Sequence, residues 1–418
     1  MRSPALHAGD QPGGGEQRGS PLAGWKLAAL MAGTCYQINL QQGMGGGEVY
    51  TRFFTRALCE LGWKVVLFVH EQAHFWRGAE MPGARYIPVR RYEDIIPLLP
   101  EKPALFITHS PSLGQLGERL RQQHFLASFA HMPLTGRDPA PFREVDLILA
   151  VSGHVISSLQ NAGLNHYYPH PLYGVADLKR GGNTPILAAS CYDWDTRKFR
   201  DRVLGLAEPL YRKLRPLQAF SRKEGLTLGI VSRLTPIKQF PLMFEILAPV
   251  MRRFPLVNVE IFGSGGYASV RDLKRALTPI RNQVRFWGQQ SNVDAVYRQL
   301  DYLMTGLPEK EALGLNVIEA EYCGTPVLAI HSPPFTETVA EGETGLFYAD
   351  PRQDQGRDFE RLLGELTAGR ERPVPQPGST HLAKFSFTEF KQRVAAAMDF
   401  ATEAAQIKQQ RKSEYLTP

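Results

Sequence analysis

Twice along the chain, short apolar runs alternate with segments of helical periodicity, and this alternation restricts the fold more than any other feature. The first series reads as strands at Leu27–Met31, Lys64–His70, Arg85–Pro88, Ala104–Thr108, Phe125–Phe129 and Leu147–Val151, with a helix over Val49–Leu61. The second begins at Leu226. It has strands at Thr227–Ser232, Asn258–Phe262, Val284–Trp287, Tyr302–Thr305 and Pro326–Ile330, separated by helices over Leu242–Arg253, Val270–Leu277, Val293–Gln299 and after Gly314. Strands joined by helical crossovers form parallel, doubly wound sheets. With 418 residues the chain is too long for one core. The expected architecture is α/β: two Rossmann-like domains in tandem, with the ligand cleft between them.

Composition narrows the class. Hydrophobic residues make up 43% and aromatics 10%, as in a globular protein. Residues 1–25 are rich in Gly, Pro and Gln and read as a disordered leader. No stretch of about 20 apolar residues predicts a transmembrane helix. Cys35, Cys59, Cys191 and Cys323 lie far apart without metal-ligand spacing, so they read as reduced thiols of a cytoplasmic protein, and no metal site is expected. The expected divisions are 26–178 for the N-terminal domain, 179–225 for an insertion, and 226–384 for the C-terminal domain. A long last helix fills 385–418, where Ser386 and Glu389 supply a capping-box signal.

The net charge of +7 is concentrated in one place. Residues 197–223 hold nine basic residues against only Asp201 and Glu208. Val203, Leu206, Leu210, Leu214 and Leu217 recur there at helical spacing, and Pro209 is placed to start a second helix. Two readings stand side by side: a packed insertion with a solvated basic face, or peripheral contact with an anionic membrane. No nucleic-acid-binding motif accompanies the charge.

The run Glu311-Ala312-Leu313-Gly314-Leu315-Asn316-Val317-Ile318-Glu319 puts one carboxylate in a loop and a second eight positions on, inside a helix. Acids around a helix N-terminus suit a ligand with an anionic middle and hydroxyl-rich ends: the dipole and N–H groups take phosphate, and the carboxylates take hydroxyls. A nucleotide-sugar is such a molecule. With its continuation Cys323-Gly324-Thr325-Pro326-Val327, the run resembles the paired-glutamate signature of retaining GT-B glycosyltransferases of family 4. The family's usual Gly-Phe is replaced by Ala312-Leu313, and its Pro-Ser by Leu307-Pro308.

Three further motifs support the resemblance. Gln42-Gly43-Met44-Gly45-Gly46-Gly47-Glu48 is a glycine turn that lets backbone approach a diphosphate, and it resembles the family's Gly-Gly-x-Glu. No acid follows where a ribose-binding Asp of a nicotinamide site would stand. The strand Gly229–Ser232 delivers Arg233, and Lys238 follows in a loop; a guanidinium and an ammonium can neutralise a departing diphosphate. His131 closes a strand of the first half, and Gly263 opens another glycine turn.

The resemblance implies transfer of a sugar from a nucleotide-diphosphate sugar to an acceptor hydroxyl with retention, and no metal or other cofactor. It implies that Glu311, His131, Arg233 and Lys238 serve catalysis. Gly45, Gly46, Gly263, Leu313, Gly314, Leu315 and Glu319 would bind the donor. A glycan or lipid-linked acceptor, a role in surface polysaccharide or glycolipid synthesis, and a cytoplasmic location at the inner face of the membrane are the accompanying expectations. The alternatives are a nucleotide-sugar-binding protein without catalysis, or an epimerase or phosphorylase on the same fold.

Overall fold

A computed structural model describes residues 33–78, 81–176, 178, 185–194, 199–213 and 218–416. Two six-stranded, wholly parallel sheets dominate it, in the orders β3-β2-β1-β4-β5-β6 and β12-β11-β10-β7-β8-β9. The first comprises β1 (Thr34–Asn39), β2 (Lys64–His70), β3 (Ala84–Val89), β4 (Leu105–Thr108), β5 (Phe125–Ala130) and β6 (Leu147–Ala150). The second comprises β7 (Leu226–Val231), β8 (Val257–Phe262), β9 (Val284–Gly288), β10 (Tyr302–Met304), β11 (Val327–Ile330) and β12 (Gly345–Tyr348). Each sheet starts at its centre, runs outward to one edge, and returns to the other side of the first strand. That reversal defines a switch point, between β1 and β4 in one sheet and β7 and β10 in the other. In the first sheet Cys35 pairs with Val65 on one side and Leu105 on the other.

Six helices matter below: α1 (Gly46–Glu60), α2 (Gly153–Asn161), α3 (Phe199–Lys213), α4 (Leu315–Tyr322), α5 (Phe335–Thr338) and α6 (Phe387–Leu416). Strands β4, β5, β6, β8 and β11 are buried at every position, as strands covered on both faces are. Each sheet has its own core. Phe54, Phe106 and Phe129 anchor one, and Phe244, Tyr302 and Phe359 the other. The terminal helix α6 contributes Phe390, Val394, Met398 and Ala401 to the first core. Lys391 pairs with Glu60 and Lys408 with Asp146 along the same seam.

One expectation falls outside the described residues, and one changes. The strand proposed at Leu27–Met31 lies outside the described residues, as does the leader at 1–25; the central strand β1 is instead Thr34–Asn39. Its polar residues Gln37 and Asn39 are buried and meet α1: Asn39 donates to Thr51 Oγ1, and Gln37 Oε1 accepts from Thr55 Oγ1. In the insertion a single helix α3 runs through Pro209, where a second helix was expected to start. It is held on both sides of Gly205, by burial of Asp201 and by a hydrogen bond from Trp194 Nε1 to Glu208.

Candidate active site

Both switch points open toward the same cleft, and the motif residues sit on the loops that leave them. β1 ends at Asn39, whose amide donates to Thr51 Oγ1 on α1 (2.9 Å) and whose Oδ1 accepts from Gln41 N (3.1 Å). These bonds fold the Gln41–Gly45 loop back over the strand end. A methyl group at Gly45 would lie 2.8 Å from Arg233 Nη1 and 3.2 Å from Glu48 Oε2. The guanidinium at the end of β7 thus reaches across to the glycine turn of the other half. Glu48, in the first turn of α1, is buried, which raises its carboxyl pKa against the opposing pull of hydrogen bonds and of Arg233.

The β7 loop is shaped by backbone contact. Gly263 stands with φ +149, and a Cβ there would overlap the Ser232 carbonyl. Gly306, just after β10, packs likewise on the carbonyl of Lys238. This seats Lys238 beside Glu311, and their side chains form an ion pair, 22% and 14% exposed. Glu311 Oε1 also accepts from Ala312 N at 3.3 Å. Gly314 adopts φ +83 and turns the chain into α4. The Leu315 and Asn316 amides that open α4 lack intrahelical acceptors by geometry, and the Asn316 side chain ties this end to the Val231 carbonyl of β7 (3.2 Å).

Glu319 lies one turn into α4. Tyr297 donates to its Oε2 at 2.9 Å, and burial raises its pKa to about 7, partly offset by that hydrogen bond and by the charge of Lys238. Lys238 therefore acts on both acids: it pairs with Glu311 and lowers Glu319 electrostatically. Leu313 and Leu315 point their side chains elsewhere, into a small cluster with Ala176, Leu382 and Phe385 between the halves. Leu315 lies against Gly46 and Gly174.

His131 follows β5. Its Nε2 lies 2.9 Å from His109 Nδ1, and His109 Nε2 lies 3.3 Å from Gln37 Oε1. The two imidazoles stack at 17° with centroids 5.2 Å apart. Desolvation lowers both, His131 to about 4 and His109 well below the usual histidine range, with His131 adding to the latter. Both rings are neutral at neutral pH. If Gln37 Oε1 accepts from His109 Nε2–H, His109 Nδ1 accepts from His131 Nε2–H, and the lone pair of His131 is left on Nδ1.

Sequence reasoning missed His109, Tyr297, Ser152 and Glu337. Ser152 Oγ donates to the Ala312 carbonyl at 2.5 Å, so the loop after Glu311 is held from the opposite half. Glu337, on α5, accepts from the amides of Gly153 (2.7 Å) and His154 (2.6 Å) and so caps the N-terminus of α2 across the cleft. Among the described residues no group of three or more His, Cys, Asp or Glu side chains is placed to hold a metal ion.

Residues 217–365 match the family model described as glycosyl transferases group 1. This segment resembles a group 1 glycosyl transferase domain. It contains Arg233, Lys238, Gly263, Glu311 and the whole of α4. A D-inositol 3-phosphate glycosyltransferase of Mycobacteroides abscessus is 30% identical over 176 residues, 40% of this chain and 38% of that protein. Most other relatives of that name are likewise spanned over 30% to 42% of their length. One from Frankia alni is 25% identical over 355 residues, 77% of this chain and 85% of its own. The structure of Anabaena HepE in complex with UDP-glucose superposes with a TM-score of 0.63 at 15% identity, covering 88% of this chain and 99% of that one. The fold is therefore that of GT-B glycosyltransferases, two Rossmann-like domains facing a cleft.

Proposed function

We propose that the protein is a retaining glycosyltransferase that uses a nucleotide-diphosphate sugar. The observation that carries this reading is Lys238 acting on Glu311 and Glu319 together beside Arg233, at the junction of the two switch points. Arg233, Lys238, the first-turn amides of α4 and the turn at Gly45-Gly46 would hold the diphosphate. Glu319 would accept from ribose hydroxyls, with Tyr297 fixing its carboxyl. Glu311 would accept from donor-sugar hydroxyls and favour the positive charge that grows on the ring in an oxocarbenium-like transition state.

As the bond from anomeric carbon to phosphate oxygen breaks, its electron pair passes to the diphosphate, where Arg233 and Lys238 stabilise it. The acceptor hydroxyl attacks the same face and gives its proton to the departing phosphate oxygen. His131, neutral and oriented by His109, would position the donor sugar or acceptor at that face. The relative of known name and the solved neighbour, which act on or hold D-inositol 3-phosphate and UDP-glucose by their names, support the class. For this chain, a glycan or lipid-linked acceptor in surface polysaccharide or glycolipid synthesis is the corresponding proposal.

The test is a melting-temperature panel of nucleotide-sugars, followed by NMR of the anomeric configuration in the product. One or more donors should stabilise the protein, and the new linkage should keep the donor's configuration. Inversion, or no stabilisation by any donor, overturns the reading. Arg233→Ala should lower kcat roughly a hundredfold or more, whereas Glu319→Ala should chiefly weaken nucleoside diphosphate binding, by roughly tenfold.

A further inference from the structure

Helix α3 is amphipathic the wrong way round for a soluble domain. On its inner side, Asp201 is buried, Gly205 packs on the Trp194 ring, where a methyl would sit 3.2 Å away, and Glu208 accepts from Trp194 Nε1. On its outer side, Phe199, Val203 and Leu206 are 73%, 48% and 77% exposed, with exposed Arg202 beside them and its guanidinium over the Phe199 ring. These three apolar positions recur at i, i+4 and i+7, so they form one stripe. A helix built to pack on its own domain would turn that stripe inward and the acids outward.

The base of the insertion is firmly seated. Ile186–Ala188 pairs antiparallel with residues 218–220, Ala189 N donates to the Trp287 carbonyl at 2.8 Å, and Asp193 N to that of Gly265 at 2.8 Å. Tyr192 stacks on Trp194 and on Tyr267. The outward stripe is therefore presented from a fixed platform, next to the glycine turn that carries Gly263.

We infer that the outer face of α3 docks on an anionic lipid surface, with Phe199, Val203 and Leu206 entering the headgroup–acyl boundary and Arg202 beside them meeting a lipid phosphate. Charge selects this occupant. By sequence the segment 197–223 holds nine basic residues and two acids; Arg222 pairs with Asp301 and Lys223 donates to the Asn282 carbonyl, and both acids lie on the inner side of the helix. A second copy would bring like charge against like charge, while an anionic bilayer is complementary in both charge and polarity. Docking here would hold the donor-side rim of the cleft at the membrane, where a lipid-linked acceptor resides. The inference does not depend on the transfer reading, because its readout is binding to vesicles.

The full-length protein is sedimented with vesicles of phosphatidylcholine containing roughly a third phosphatidylglycerol, and with pure phosphatidylcholine. Binding should be confined to the anionic vesicles and weaken as salt rises. Phe199→Ser with Leu206→Ser, and separately Arg202→Glu, should each weaken it roughly tenfold or more, with the melting temperature and nucleoside diphosphate affinity unchanged. Equal recovery with neutral vesicles, or undiminished binding of either variant, overturns the proposal. So does a concentration-dependent dimer in sedimentation velocity that the double variant abolishes, since that makes a second copy the occupant.

Discussion

Glu319 and His131 show how one cleft holds groups of opposite tendency in the uncharged state. Burial lifts the Glu319 carboxyl to about 7, so below that pH the folded protein carries its proton. In the proposed role only the ionised carboxylate would accept from both ribose hydroxyls, so nucleoside diphosphate affinity should rise as pH climbs through 7, with proton release on binding below it. Titration calorimetry in buffers of different ionisation enthalpy measures that proton, and Glu319→Gln should abolish it. The same shift bears on stability. A folded pKa raised above the unfolded one gives a contribution present at acidic pH and lost as pH rises toward 7, so Glu319→Gln should flatten the stability profile between about pH 4.5 and 7. His131 runs the other way: held down at about 4, it should show no titration by NMR between about pH 5 and 8. In His109→Phe, which cannot accept from Nε2, the ¹⁵N shifts of His131 should report a redistribution between its two tautomers.

At the scale of elements, how much the sequence discloses depends on whether the signal is local. β2 spans Lys64–His70 as the apolar run predicts, and β5 and β8 differ by a residue, because a fully buried parallel strand needs little beyond its own side chains. β1 was hidden because a more apolar run at Leu27–Met31 precedes it, while its own Gln37 and Asn39 take their partners from α1, His109 and the following loop. The paired glutamates, Arg233 and Lys238 are legible as motifs. Ser152, Glu337 and Tyr297 are not, since their partners lie 160, 183 to 184 and 22 positions away. The seam of α6 also lacks a local signal. Phe390 is fully buried in the core of the other half of the chain, so Phe390→Ala should cost about 3–5 kcal/mol, read from denaturant unfolding of that half. An equal loss from the half that holds β7 to β12 would show that α6 does not brace the first core specifically.

Across the whole molecule, two contacts fasten the halves: Ser152 to the Ala312 carbonyl, and Glu337 to the amides that open α2. Tyr173 joins the second, and Lys384 donates to the Glu337 carbonyl at 2.7 Å. Glu337→Ala leaves the first amides of α2 without their carboxylate, a loss of about 1–2 kcal/mol to the closed arrangement. Small-angle scattering should then report a larger radius of gyration without ligand, and a saturating donor should restore the compact value. An unchanged radius would mean that closure rests on the hydrophobic cluster around Leu313 and Leu315 instead.

The serine grip on the Ala312 carbonyl has a thermodynamic corollary. The peptide next to Glu311 is shared property of both lobes, so a ligand that occupies either one alone also biases the alignment of the other. By reciprocity, whatever factor a bound donor adds to acceptor affinity, a bound acceptor returns to the donor. Kinetics should then show synergistic substrates, and Ser152→Ala should reduce the synergy more than it reduces either affinity measured singly.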